Sequence, residues 1–325
     1  MYTRAANQHQ SRLAVPPGRG FAGRRAGGPR GSRRVGFGGL TAARTWTEQE
    51  RRLLAGGLPF SAEQRLSELR AAGMTSSFLS VDGEAVGALD GMEAIGQVVG
   101  ASACRLGVGV VRRTRTGAGR LPGGTTTWRE HEGPVRSWTE ARQRALARLV
   151  EQARLLDANA VLGLRPTYEV GEREPRTAEV VFAGTAVRFS GSKGKRADPV
   201  VGLVSVQEFC LLRRAGVDVV GIAGACSAVE LGPLSRLSSR GDRMTAAGSY
   251  ELRELTIGIY EARRLAMQRL RSDARRLGAS GVLGINLADS LADHRRGSVL
   301  HLLGTAVRST STRGLSPGFV LSLAD

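Results

Sequence analysis

One segment occurs twice in this chain, and its two copies lie a constant 121 residues apart. The first copy runs from Thr139 to Leu164 and the second from Tyr260 to Ile285. In each copy apolar residues recur at helical spacing, a polar turn follows, and a short apolar run ends the segment. This pattern predicts an amphipathic helix, a tight turn and a strand buried on both faces. The chain is therefore expected to contain two homologous units.

The apolar stripe of each predicted helix consists mainly of alanine, so another backbone can approach it closely. Arginines occupy the opposite faces, and Arg142, Arg144 and Arg148 of the first copy are predicted to face solvent. We expect Gly278 to end the second helix, and Asn159 to serve the same purpose after the first. The stripe positions are Ala141, Ala145, Leu149, Ala153 and Leu156, and then Ala262, Ala266, Leu270, Ala274 and Leu277.

A second set of matches lies upstream of these helices at an offset of 125 residues. The later copy has a capping box at Ser205 and Glu208, which predicts a short helix that Gly216 ends. The earlier copy carries Gly83 and Gly87 in the equivalent helix, which should therefore be weaker. After each short helix we predict a strand (94–101; 218–225) and then a variable basic loop (112–136; 234–254).

Each repeat ends with an alternating strand, over 179–188 and 298–308, and both strands contain the sequence Gly-Thr-Ala-Val-Arg. The first residues of this motif, Gly184 and Gly304, indicate a bulge or a close backbone approach. Upstream of the first repeat, Thr47 and Ser61 are predicted to be N-caps of two short helices. Gly73 is expected to end the second of these helices.

These patterns predict an α+β fold with two homologous small domains. Each domain is expected to contain a mixed β-sheet, one long amphipathic helix and one short helix. The predicted segments are a disordered Arg/Gly-rich tail (1–44), short N-terminal helices (45–78), domain 1 (79–189), a linker (190–203), domain 2 (204–308) and a C-terminal tail with a short strand (309–325).

The predicted tail carries half of the net charge, because residues 1–44 contain nine arginines and no acidic residue, and the chain has a net charge of +18. Such a segment cannot bury enough apolar surface to offset its ordering entropy. One interpretation is a tail that contacts RNA or DNA. The other is an unstructured extension, which the irregular spacing of aromatic residues among the arginines favours.

Three cysteines give no disulfide framework, which fits a reducing compartment and a cytoplasmic protein. No apolar run approaches the length of a membrane helix. The sequence also lacks a nucleophile elbow, a phosphate-binding loop and a dinucleotide fingerprint. We therefore predict a protein that is not an enzyme and does not enter membranes.

Several motifs resemble the YbjQ-like family in its tandem, two-domain actinobacterial form. They include Tyr260-Glu-Ala-Arg, Gly281-Val-Leu-Gly-Ile285 and Gly304-Thr-Ala-Val307, with Ala158-Asn-Ala-Val-Leu-Gly163 and Gly184-Thr-Ala-Val187 in the first half. The resemblance covers residues 79–189 and 204–308. It implies a compact α+β domain and, for single-domain relatives, a ring-like homo-oligomer, so we expect this chain to self-associate. It also implies the heavy-metal binding after which the family is labelled.

The resemblance makes Cys226, with Cys104 from the other half, a candidate ligand pair for a soft divalent metal. Cys226 lies where relatives often carry a cysteine, whereas the Tyr-His pair of tandem relatives is replaced here by Cys104-Arg105 and Val229-Glu230. The alternative is that Cys226 is a small buried hydrophobe, which the scattered histidines favour. His301 is predicted to face away from Leu300 and Leu302, as a hydrogen-bonded or exposed side chain.

Two classes of function are consistent with these features. The first is non-catalytic binding of a metal or small ligand within an oligomeric assembly, which rests on the resemblance. The second is association with nucleic acid through the basic tail and surface, which rests on charge.

Overall fold

The computed structural model describes residues 47–72, 75–106, 116–121, 124–170, 177–190, 198–231, 253–291, 297–309 and 321–322. These residues all belong to one compact unit. The tail predicted over 1–44 and the helix end predicted at Gly73 lie outside the described residues.

Helices and strands alternate along the described part of the chain in two similar series. The helices are α1 (Glu48–Leu54), α2 (Phe60–Ala72), α3 (Val81–Leu89), α4 (Glu132–Leu155), α5 (Val206–Arg214) and α6 (Arg253–Arg276). The strands are β1 (Met92–Arg105), β2 (Thr116–Leu121), β3 (Gly124–Glu130), β4 (Ala160–Val170), β5 (Thr177–Phe189), β6 (Val200–Val201), β7 (Val217–Leu231), β8 (Gly281–Leu291), β9 (Gly297–Ser309) and β10 (Leu321–Ser322).

The strands form two sheets, which confirms the predicted α+β class. The first sheet has the order β1-β5-β4-β6, and the second has the order β10-β8-β9-β7-β3-β2. Pairing is antiparallel except between β4 and β6, which are parallel. The long helix of each repeat, α4 or α6, packs on the sheet of that repeat.

The hairpin β2–β3 comes from the first repeat but joins the sheet of the second. Strand β3 pairs with β7 over Trp128–Glu130. The loop predicted over 112–136 is therefore wrong where the structure describes it, because a hairpin and the start of α4 lie there. Its glycines, threonines and arginines lack apolar alternation, and its partner strand is about 100 residues away, so local sequence does not indicate the pairing.

Both short helices form, and the glycines of α3 have a packing role. The predicted capping box is confirmed at α5, where Ser205 Oγ accepts from the Glu208 amide at 3.2 Å and Glu208 Oε2 accepts from the Ser205 amide at 2.8 Å. A Cβ at Gly87 would lie 2.2 Å from Met92 Cε and 3.1 Å from Val206 Cγ1. Tertiary contacts with α5 and β1 thus stabilise a helix that composition alone makes weak.

Of the two predicted ends of the long helices, the one at Gly278 is confirmed and the one at Asn159 is wrong. Gly278 follows α6 with a φ of 70°, as expected. After α4, however, Asp157 adopts the positive φ of 55°, and Asn159 does not. Asp157 is the residue 121 positions before Gly278. Asn159 instead uses its side-chain amide to bond both backbone groups of Phe189, at 3.1 and 3.2 Å.

At the N-terminal helices, the cap at Thr47 is confirmed and the cap at Ser61 is wrong. Thr47 Oγ1 accepts from the Glu50 amide at 3.2 Å, and Glu50 completes a capping box. Helix α2 begins at Phe60, so Ser61 lies inside its first turn. The carbonyl of the preceding Pro59 accepts from the Ala62 amide, and the helix starts two residues earlier than a cap at Ser61 predicts.

The close approaches expected at alanine and glycine are confirmed. A Cβ at Gly100 of β1 would lie 2.0 Å from the carbonyl oxygen of Ala145, so α4 rests directly on the strand. At Gly304 a Cβ would lie 2.4 Å from Val282 Cγ1, beside a bulge in β8. The prediction that each apolar run is buried on both faces is confirmed for the first run, at the start of β4. It is wrong for the second run, at the start of β8, where Gly284 is exposed.

Candidate functional site

Helix α4 contacts both sheets, and this makes its buried face wider than the alanine stripe. Arg142 is only 7% exposed, so its predicted place on the solvent face is wrong. Arg148 is half-buried, and Arg144 alone of the three has a side chain about half exposed (51%). The stripe predicted one packing surface, and the second surface, strand β7, is contributed by the other repeat.

A groove opens between α4 and α6 above β7, and we call it the inter-repeat groove. It encloses about 290 Å³. A second cavity of about 320 Å³ lies next to it along α6 and shares Arg269 and Ser272. The groove is lined by Thr139, Arg142 and Gln143 of α4, by Gly224–Cys226 of β7, and by Arg269, Ser272, Asp273 and Arg276 of α6.

The guanidinium of Arg142 lies against the backbone of β7 at Gly224. A Cβ at this glycine would come within 2.8 Å of Arg142 Nε and 2.9 Å of Cζ, so a larger residue would displace the arginine. Within the described part of the chain, Arg142 has no carboxylate or carbonyl hydrogen-bond partner. Arg142 is buried as a residue, but its side chain lines the groove, so a group from solution can reach it. A charge that has lost most of its surrounding water is costly unless it is paired.

The other central arginine of the groove is fully paired. Arg269 donates to both carboxylate oxygens of Glu130, at 2.5 and 2.9 Å, and to the carbonyl of Cys226 at 2.9 Å. Glu130 is completely buried and lies at the end of β3. This bidentate pair therefore links the hairpin of the first repeat to α6 of the second.

Asp273 is also engaged by protein groups. One carboxylate oxygen accepts from the Gly224 amide at 2.9 Å, and the other from Arg276 at 2.5 Å. Arg269 is balanced by Glu130 and Arg276 by Asp273. The charge of Arg142 is then the one that no described acidic side chain of the groove compensates.

The same contacts recur in the first repeat, where protein fills the equivalent position. Arg148 and Gln152 lie 121 residues before Arg269 and Asp273, and they bond Ala101 and Val99 of β1 at 2.7 and 2.6 Å. There α2 covers the place, because Arg65 donates to Gln152 Oε1 at 2.7 Å. The carbonyls of Leu53, in the last turn of α1, and of Gly57, in the loop after it, also accept from Arg148. Among the described residues, the inter-repeat groove is thus the uncovered counterpart of a covered site.

A largely buried aromatic cluster lies near Arg142. His301 stacks on Tyr168 with ring centroids 4.5 Å apart, and Trp138 meets the imidazole edge-on at 4.5 Å. His301 faces away from Leu300 and Leu302 as predicted, but it is buried. The hydroxyl of Tyr168 is buried and has no hydrogen-bond partner among the described residues.

Burial keeps the titratable groups of this cluster neutral. It lowers the pKa of His301 to about 3, and the charge of Arg142 acts in the same direction. Burial raises the pKa of Tyr168 to about 12, although Arg142 opposes the shift. It also raises the pKa of the Cys226 thiol to about 12, against the charges of Arg142 and Arg269.

These side chains do not fit a soft metal cation. Cys226 and His301 are cross-strand partners, so one thiol and one imidazole lie on the same face. The imidazole, however, is covered by two aromatic rings, and a cation there would meet the charge of Arg142. Within the described residues, no group of three or more Cys, His, Asp or Glu side chains could hold a metal ion.

The two cysteines predicted to share a metal have different surroundings. Cys104 lies 3.9 Å from Ser102 Oγ and accepts from Arg144 at 3.6 Å, on one flank of α4. Cys226 lies on the flank that carries Arg142, among the residues of the groove. Their role as metal ligands stays a prediction.

The chain is similar to a known protein family and to one of its known relatives. A family model named YbjQ, described as "putative heavy-metal-binding", matches residues 83–190 and 239–310. The chain is 33% identical over 193 residues to the encapsulin nanocompartment protein Rv1762c of Mycobacterium tuberculosis, covering 56% of this chain and 71% of that protein. No significant match was found among solved structures. Among the described helices, none has the length and apolar character needed to cross a bilayer.

Proposed function

The chain belongs to the YbjQ family, and from this premise we propose that it is a non-catalytic protein that binds a small ligand in the inter-repeat groove. One observation carries the proposal: Arg142, a residue only 7% exposed, lines a groove of about 290 Å³ and has no acidic or carbonyl partner among the described residues. A ligand that pairs with this side chain would offset the cost of removing its charge from water.

A small ligand is favoured over a metal ion by the chemistry of the same side chains. The thiol and the imidazole nearest the groove are neutral and lie next to a fixed positive charge. A metal held by Cys226 and Cys104 would need a thiolate in a site where burial opposes ionisation.

A pair of matched variants tests the groove. Ser272 lines it from α6, whereas the neighbouring Arg271 is exposed and does not. We expect that, in a thermal-shift screen of small metabolites of mixed charge, at least one compound stabilises the wild type and Arg271→Trp but not Ser272→Trp. Compounds that stabilise all three proteins equally, or no stabilising compound at all, would contradict the proposal.

We also propose that the protein self-associates in the cytoplasm and that it works with an encapsulin nanocompartment. The relative from M. tuberculosis, which is named as an encapsulin nanocompartment protein, supports this second part. Co-expression with an encapsulin shell, followed by size-exclusion chromatography, would test it. We expect the chain to elute with the shell, and separate elution of the two proteins would refute the association.

Nucleic-acid binding is the second candidate, and the nine arginines of residues 1–44 favour it. Such binding should weaken steeply with salt and disappear when residues 1–44 are removed. Retention of RNA or DNA that is unchanged in the shortened chain would exclude the tail as its source.

A further inference from the structure

We propose that the ligand of the inter-repeat groove is a small oxyanion, a molecule with one carboxylate or phosphate group that pairs with Arg142. This inference rests on the proposed function and specifies the chemical class of ligand. Its basis is the charge distribution of the described lining together with the position of Arg142.

The first argument is the charge balance of the groove. Glu130 neutralises Arg269 through a bidentate pair, and Asp273 neutralises Arg276. Arg142 remains as a positive charge without an acidic partner in the described structure. A ligand that brings one negative charge would complete the pairing, and a cationic ligand would add to the imbalance.

The second argument is that Arg142 is held in place. Its guanidinium rests on Gly224, where there is no space for a side chain, and its helix is fixed on β1 through Gly100. The planar guanidinium offers several N–H donors in a fixed geometry that matches a carboxylate or a phosphate. An anion would therefore meet a donor that needs little reorganisation.

The third argument comes from the covered counterpart in the first repeat. There Arg65 of α2 satisfies the Gln152 side chain, and backbone carbonyls satisfy Arg148. Each polar group of that site is completed by the protein itself. The inter-repeat groove instead has the Gln143 amide and the Ser272 hydroxyl at its wall, and in the described structure it is open to a molecule from solution.

The experiment titrates the full-length protein with inorganic phosphate and with acetate, against sodium chloride at equal ionic strength. Binding is followed by calorimetry and melting temperature. We expect phosphate or acetate, but not chloride, to bind and stabilise the wild type. Arg142→Gln should lower the affinity about ten- to hundredfold, the range for a charge-assisted hydrogen-bonded pair.

Two further variants keep the test interpretable. Gly224→Ala retains every charge but displaces the guanidinium of Arg142, so it should weaken anion binding as well. Arg144→Gln removes one charge from the exposed flank of the same helix and should bind like the wild type. Equal affinity of wild type and both groove variants would overturn the inference, even if one of the variants proved unstable.

Failure of the inference can be told apart from failure of the proposed function. If neutral or cationic compounds, including zinc ions, bind in a manner that Ser272→Trp abolishes while both anions fail, the ligand class is wrong and the groove remains a binding site. If neither anions nor any other compound binds, both proposals are wrong.

Discussion

Replacing Gly100 by alanine should dislodge the helix that carries Arg142. The added Cβ would lie 2.0 Å from the carbonyl oxygen of Ala145 and 2.8 Å from the amide nitrogen of Leu149. Both are backbone atoms, so no rotamer change can relieve the contact. Because real Cβ atoms essentially never approach within 3.0 Å, α4 must move by at least about 1 Å.

The expected cost lies in the upper part of the range for overpacking, about 2–3 kcal/mol. For a unit of this size, the melting temperature should fall by about 4–12 °C. Differential scanning calorimetry measures this fall. Phosphate affinity should fall with it, since the displaced helix carries Arg142 away from Gly224.

Gly96→Ala is the matched control, because it makes the same change on the same strand. There the nearest heavy atom is Leu69 Cδ2 at 3.3 Å, at the flexible end of a side chain. We expect a change of about 1 kcal/mol or less. If Gly100→Ala and Gly96→Ala melt at the same temperature, the direct packing of α4 on β1 is refuted.

Three further predictions concern the second repeat and its cluster. Ala266→Leu should destabilise the protein by about 1–3 kcal/mol because Ala266 is fully buried. Arg264→Leu, on the solvent side of the same helix, should cost little. Equal midpoints of urea unfolding for Ala266→Leu and the wild type would contradict this prediction. Because the pKa of His301 is lowered to about 3, its neutral form contributes fully to the free energy of unfolding above about pH 6.5. This contribution is lost between about pH 6.5 and pH 3, by up to about 1.4 kcal/mol per pH unit. Measurements of unfolding at several pH values should therefore show a weaker loss of stability in acid for His301→Phe than for the wild type. Cys226→Ser should leave the zinc and copper content of the purified protein unchanged in elemental analysis, and a stoichiometric metal lost in this variant would instead identify Cys226 as a ligand.

The sequence predicts those elements whose causes are local. The capping box at Ser205 and Glu208 determines where α5 starts, and helical periodicity predicts α4 and α6. The repeat correctly predicts the burial of Ala145 and Ala266, and at Ala145 it also predicts the close approach of a strand backbone. Each of these features depends on residues within a few positions of one another, or on the comparison of two copies.

The candidate site could not be predicted, because it depends on contacts between the repeats. Arg142 has the spacing of a solvent-facing residue, and it is buried only because β7 of the other repeat packs against its helix. Glu130 lies in a segment whose sequence indicates a basic loop. In the structure this segment is a strand, because it pairs with β7. One available signal was missed: the 121-residue offset aligns Asp157, not Asn159, with Gly278.

The strands exchanged between the repeats have a consequence for what counts as a folding unit here. The hairpin β2–β3 of the first repeat belongs to the second sheet. Strand β6 (Val200–Val201), which follows the first repeat, forms the edge of the first sheet beside β4. Cutting the backbone after Ser190 would therefore leave two fragments that still complement each other through paired strands and the buried Glu130–Arg269 pair. Either fragment alone would expose a sheet edge that only the other can cover. The two halves are thus joined by paired strands and by a buried ion pair as well as by the chain between them.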